Sequence, residues 1–92
     1  MVNKKILRDL EGGQKAFLCL GCGCAHAVKV NPGGWTLSGT PEKPTISPSV
    51  LVTGFINGEE GRCHLFVVDG NLQYLSDCTH KLAGQTVPME AF

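Results

Sequence analysis

Cys63-His64-Leu65-Phe66-Val67-Val68-Asp69-Gly70-Asn71-Leu72-Gln73-Tyr74-Leu75-Ser76 holds two β-prone runs around an Asp-Gly pair. Asp-Gly tolerates the left-handed backbone that a two-residue hairpin loop needs, and between two such runs it is the strongest short-range hairpin signal. With Asp69 and Gly70 as the loop, Val68 faces Asn71, Val67 faces Leu72, His64 faces Leu75 and Cys63 faces Ser76. The same register brings Cys63 near Cys78.

Working outward, Val50 to Ile56 is the most β-prone run of the chain. Gln14–Leu20 and Ala25–Val30 read as two strands joined through Gly21-Cys22-Gly23-Cys24, where glycines permit a tight turn. Asn31-Pro32-Gly33-Gly34 is a turn signal and Trp35–Leu37 a short strand, with Trp35 half-buried in the core. Ser38–Ser49 holds Pro41, Pro44 and Pro48, a density that excludes helix and central strand and reads as a crossing loop or edge. Asn57–Gly61 reads as a polar loop, and residues 1–13 as an arm or short edge element. After the hairpin, Ser76 or Asp77 can cap a helix start, Lys81 suits its last turn and Gly84 the residue beyond it. The expected fold class is mainly β: a small antiparallel sheet with a zinc-knuckle turn and one short helix over about Cys78–Ala83, in a single domain spanning residues 1–92.

Ninety-two residues are one small core's worth of chain. Such a domain is marginal unless something staples it. Eight basic residues balance eight acidic ones, and only two of the basic residues are Arg. That balance argues against a general grip on nucleic acid or an anionic membrane. No apolar run approaches the roughly 20 residues of a membrane span. Asp9 and Glu11 follow the basic start before any apolar segment, so no signal peptide is read and a cytosolic location is expected.

Five cysteines without a secretory signal argue against disulfides. Each of the three histidines lies within four residues of a cysteine: Cys22 with His26, Cys63 with His64, Cys78 with His80. Cys19-Leu20-Gly21-Cys22 has the form of a zinc knuckle, in which two thiolates converge on one ion. One knuckle supplies two of four tetrahedral ligands. The others must come from Cys63, His64, Cys78 and His80. Cys63 and His64 are neighbours on a strand and point to opposite faces, so both serve one ion only at a bulge. The ranking is Cys19, Cys22 and Cys78 first, then Cys63 or His64, then His80. Cys24 reads as a spare thiol and His26 as a structural histidine. Asp77 reads as a helix cap in preference to a partner orienting His80. Buried core thiols and a redox C-x-x-C are the competing readings, and the latter lacks the helix that would activate it. The zinc deaminase signature, a Ser-His-Asp elbow and a phosphate-binding glycine loop are not found.

Several segments together resemble a known family: C-x-G-C followed by His26, Glu42–Gly54 (E-K-P-T-I-S-P-S-V-L-V-T-G), C-H-x-F at Cys63–Phe66, D-G-x-x-Q-Y-L at Asp69–Leu75, and D-C-T-H-x-L-A-G-Q-T-V at Asp77–Val87. In this combination they resemble the small phage and prophage proteins grouped as DUF6527, sometimes labelled "ammonia monooxygenase". The family's knuckle reads C-P-G-C where this chain has Leu20, and its Cys24 position is often not Cys. The resemblance implies a compact zinc-bearing β domain of phage type. The residues give no support to oxygen chemistry, which favours His-rich or His/carboxylate sites.

The function expected from sequence is a zinc-stabilised module that acts by contact with a host or phage protein, and an enzyme is the less favoured reading. The alternative is a small metal-dependent hydrolase with an open zinc position and a His26, His64 or His80 proton carrier.

Overall fold

In the computed structural model, residues 4–30, 34–56 and 58–92 are described, apart from the side chains of residues 55 and 56. Two antiparallel sheets pack on one core. The first has three strands in the order β1 (Arg8–Leu10), β2 (Gln14–Cys19), β3 (Cys24–Lys29). The second runs β4 (Thr36–Gly39), β5 (Pro44–Ile56), β6 (Glu59–Val68), β7 (Asn71–Tyr74), β8 (Thr86–Pro88) in that order across the sheet. The fold is therefore mainly β, and the arm contributes an edge strand through Arg8–Leu10 paired with Gln14–Ala16.

The Asp-Gly hairpin forms in the expected register, with Val68 opposite Asn71 and Val67 opposite Leu72. Both loop residues have positive φ, Asp69 at 48° and Gly70 at 78°. Alternation then sorts the faces of β6. Cys63, Leu65 and Val67 are buried, while Arg62 and Phe66 are exposed and His64 is half-buried on the opposite face. The buried set meets Phe17, Cys19 and Val28 of the first sheet and Val30 just beyond it, together with Ile46, Val50, Leu72, Tyr74 and Met89.

Three expectations are corrected. No helix forms over 78–83; residues 76–84 make successive turns. The amides of Ala83 and Gln85 reach only three residues back, to His80 and Leu82, while Gly84 bonds the carbonyl of Leu75. Thr79 is stitched to Arg62, and these outside partners take the groups a helix would pair internally. Pro44 and Pro48 lie in β5, an interior strand. Pro44 opens the strand, and Pro48 falls where the β5–β6 register slips between Ile46 and Val50, so neither removes a needed ladder bond. Glu59–Gly61, read as loop, is the start of β6 and pairs with Gly54–Ile56. The turn read at Asn31-Pro32-Gly33 lies outside the described residues.

Candidate functional site

β2 and β3 meet at the knuckle. Gly23 takes a φ of 72° and its amide bonds the Cys19 carbonyl at 2.9 Å, which closes the turn and aims Cys19 and Cys22 inward. The inner face of β6 supplies Cys63, and the turn after β7 supplies His80. The four donor atoms of Cys19, Cys22, Cys63 and His80 lie within 4.8 Å of one another. Cys19 Sγ is 3.6 Å from Cys63 Sγ, and His80 Nε2 is 3.3 Å from Cys63 Sγ. Two thiolates on one tetrahedral ion with metal–sulfur bonds of about 2.3 Å sit about 3.8 Å apart, so the spacing fits a shared ion.

Gly21 is required by this packing. A Cβ there would overlap the His80 imidazole at Cε1, Nδ1 and Nε2. The ring cannot retreat easily, because Tyr74 packs edge-on against it with centroids 4.7 Å apart. The Tyr74 hydroxyl accepts from the Gly21 amide at 3.1 Å and lies 3.2 Å from Cys19 Sγ, tying the knuckle to β7.

The thiols differ in proton affinity, because crowded and buried thiolates repel one another. The hydrogen bond from Cys63 pulls Cys19 well below the ordinary thiol range, against the opposing effect of burial. Burial and the Cys19 charge push Cys22 up. The hydrogen bond to Cys19, then burial, pushes Cys63 up further. One thiolate forms and raises the cost of the next; a cation at the centre removes that conflict and permits all three to ionise. His26 lowers the Cys19 pKa as well, while its buried Nε2 has no hydrogen-bond partner of ordinary geometry.

Of the six ligand candidates read from sequence, four converge and two do not. Cys78 was ranked with the knuckle, but its thiol lies against the backbone of His64, 3.2 Å from the nitrogen and 3.1 Å from the oxygen. His64 faces away from the cluster on the other side of β6. Cys24 is exposed and opens β3 opposite Cys19.

On that outer face stands a second constellation. His64 Nε2 is 3.0 Å from Ser49 Oγ, and His64 Nδ1 is 3.2 Å from Asp77 Oδ2. With Nδ1 protonated toward the carboxylate, Nε2 is left to accept the Ser49 hydroxyl proton. Burial raises the Asp77 carboxyl, but the His64 hydrogen bond and the His64 and Arg62 charges outweigh it and hold it below the usual range. Arg62 Nη1 lies 3.5 Å from Asp77 Oδ2. The three residues come from separate places: Ser49 from the irregular stretch of β5, His64 from β6, Asp77 from the turn after β7. Each is fixed locally. Trp35 Nε1 donates to the Ser49 carbonyl at 3.3 Å, and Cys78 and Thr79 bind the turn to β6 immediately after Asp77.

Sequence reading missed this array. Ser49 lies in no G-x-S-x-G elbow, the spacing of residues 49, 64 and 77 follows no local motif, and Asp77 read as a helix cap in a helix that does not form. His64 reads from sequence as a metal candidate or as one of three possible proton carriers beside a zinc, with no serine or aspartate partner. The outward alternation of His64 opposite the inward Cys63 was the one available sign.

A family model described as bacterial ubiquitination-like system serine protease (BubE) matches residues 2–75. The match contains Ser49 and His64 and stops just short of Asp77 and His80. No curated protein and no solved structure matches the chain. Matched over the greater part of its length, the chain belongs to the BubE family, whose description names a serine protease.

Proposed function

We propose that this chain is a serine hydrolase of peptide bonds, held in shape by a zinc ion. The observation that carries the reading is the hydrogen-bonded row Ser49–His64–Asp77, with 3.0 and 3.2 Å steps on one accessible face. The family description supports it. Ser49 Oγ attacks the carbonyl carbon while His64 Nε2 takes the hydroxyl proton. His64 returns that proton to the departing amine, leaving an ester on Ser49. A water, deprotonated by the same imidazole, then attacks the ester; the imidazolium gives that proton to the departing Ser49 Oγ, releasing the carboxylate and restoring the hydroxyl. Asp77 stays ionised, fixes the tautomer and stabilises the imidazolium.

Cys19, Cys22, Cys63 and His80 would hold the zinc. Three thiolates and one imidazole are a closed structural set with no position for a reacting water, which argues against an open-metal hydrolase. The ion's part is placement. Cys63 adjoins His64, and His80 follows Asp77 by three residues, so the base and its acid both hang from metal ligands.

The test is a fluorophosphonate probe followed by mass spectrometry. Labelling at Ser49, lost in Ser49→Ala and His64→Ala, is expected; intact zinc-loaded protein that never labels refutes the reading. Such a result, with binding to a host or phage protein, would favour the contact module read from sequence. The DUF6527 likeness, with the phage setting it implies, is a further proposal supported by the quoted motifs. A cytosolic location is supported by five unpaired thiols, and no described helix is long and apolar enough to cross a membrane.

A further inference from the structure

We propose that the free edge of β5 beyond Ser49 binds the substrate polypeptide as an added strand, which carries the scissile carbonyl to Ser49. The inference rests on the Ser49–His64–Asp77 reading and names how its substrate is held. β5 runs from Pro44 to Ile56, but β4 covers only Pro44–Ser47. Beyond that point the opposite edge stays paired with β6 as far as Ile56, while among the described residues no strand pairs with the near edge.

The direction of the backbone groups follows from the hydrogen bonds that β6 makes on its other side. The carbonyls of Arg62 and His64 accept from Thr79 and Leu75, so the even residues of β6 face the β7 side. The odd residues Cys63 and Leu65 therefore face β5, and so their partners Val52 and Val50 face β6. That leaves Leu51 and Thr53 with N–H and C=O aimed at the free edge. The Ser49 carbonyl, which accepts from Trp35, points to that side too. One row of backbone groups thus leads directly to the nucleophile.

The side chains agree. Leu51 and Thr53 lie opposite His64 and Arg62, on the face of the sheet that carries the Ser-His-Asp row. Leu51 is 55 % exposed and Phe66 37 % exposed, two of the three exposed large apolar residues described; Leu51 lies across from His64 and Phe66 two residues along from it. A shallow cavity of about 550 Å³ continues from Asp77 over Arg62 to Thr53 and Gly54. It offers room for a substrate side chain beside the acid.

Open edges are normally blunted with charge or proline, because they template unwanted pairing. Val50–Gly54 has neither. An edge left open, apolar and adjoining the nucleophile suits an extended peptide, whose main chain supplies affinity and whose alternate side chains supply choice.

The experiment uses the full zinc-loaded Ser49→Ala chain and a randomised decapeptide library, with residue-resolved amide exchange. Protection should rise at Leu51 and Thr53, while Val50 and Val52, already tied to β6, change little. In the otherwise unaltered enzyme, Thr53→Pro removes one edge-facing N–H without touching the β6 ladder. It should lower kcat/KM for the library about tenfold through KM, with an unchanged melting temperature. No protection at Leu51 and Thr53, or full peptide cleavage by a folded Thr53→Pro chain, overturns the proposal. Protection that grows with protein concentration alone assigns the edge to a second copy and overturns it too. Edge protection by peptides that the unaltered chain never cleaves leaves the edge standing and sinks the Ser49 reading instead.

Discussion

Gly21→Ala adds one methyl group at the tightest of the described glycine positions. The new Cβ would overlap the His80 ring, which Tyr74 backs at a centroid distance of 4.7 Å. Ordinary van der Waals contact requires the ring or the knuckle to move by about 1 Å. A zinc–nitrogen bond of about 2.0–2.1 Å does not survive that stretch, so the ion keeps three sulfurs and loses its imidazole. Structural zinc contributes about 10–16 kcal/mol of apparent binding energy at neutral pH. If the four ligands share it evenly, one is worth about 2.5–4 kcal/mol, against a total stability of about 5–14 kcal/mol for a chain of this size. For a domain this small, about 3 kcal/mol corresponds to a fall in melting temperature of roughly 10–25 °C. The assay is thermal denaturation with bound zinc measured on the same samples, and excess zinc should restore part of the loss. A Gly21→Ala chain with one tightly held zinc and an unchanged melting temperature would falsify the packing of His80 against the knuckle.

Strong chelator or Cys22→Ser should unfold the chain at room temperature, whereas Cys24→Ser, at an exposed thiol outside the cluster, should leave folding and zinc content intact; circular dichroism and metal analysis decide it. Cys78→Ala should keep one equivalent of zinc yet cost about 1–3 kcal/mol and slow hydrolysis, because it strips the contacts that hold the His64 backbone; loss of zinc would return Cys78 to the ligand set. Asp77→Asn should lower turnover on the order of 10³–10⁴-fold by spoiling the His64 tautomer, and a turnover near that of the unaltered chain would remove Asp77 from the mechanism. Because the Asp77 pKa is lowered on folding, its contribution to stability is present above the ordinary carboxylate range and fades as pH falls through the lowered value. The unaltered and Asp77→Asn chains should therefore converge in melting temperature only in strong acid, with a small gap at neutral pH because the carboxylate is exposed.

Local chemistry made much of this protein legible in sequence. Asp69-Gly70 determined a hairpin and its register, since few residue pairs accept two consecutive positive φ angles. Alternation along Cys63–Val68 divided an inner from an outer face, and Cys19-x-x-Cys22 declared half of a metal site. Everything that depended on distance along the chain was decided by the tertiary structure. Cys63 and His80 complete the cluster because the turn after β7 folds back over the inner face, and the bonds that hold it there prevent the helix its capping residues suggested. Proline signals excluded a central strand, yet the register slip at Pro48 absorbs the missing donor, and Ser49 next to it lies beside His64. Ser49, His64 and Asp77 share no motif, because a hydrogen-bonded row needs only three atoms at the right separation. Neighbouring strands and a turn supply that separation without leaving a pattern in the order of residues.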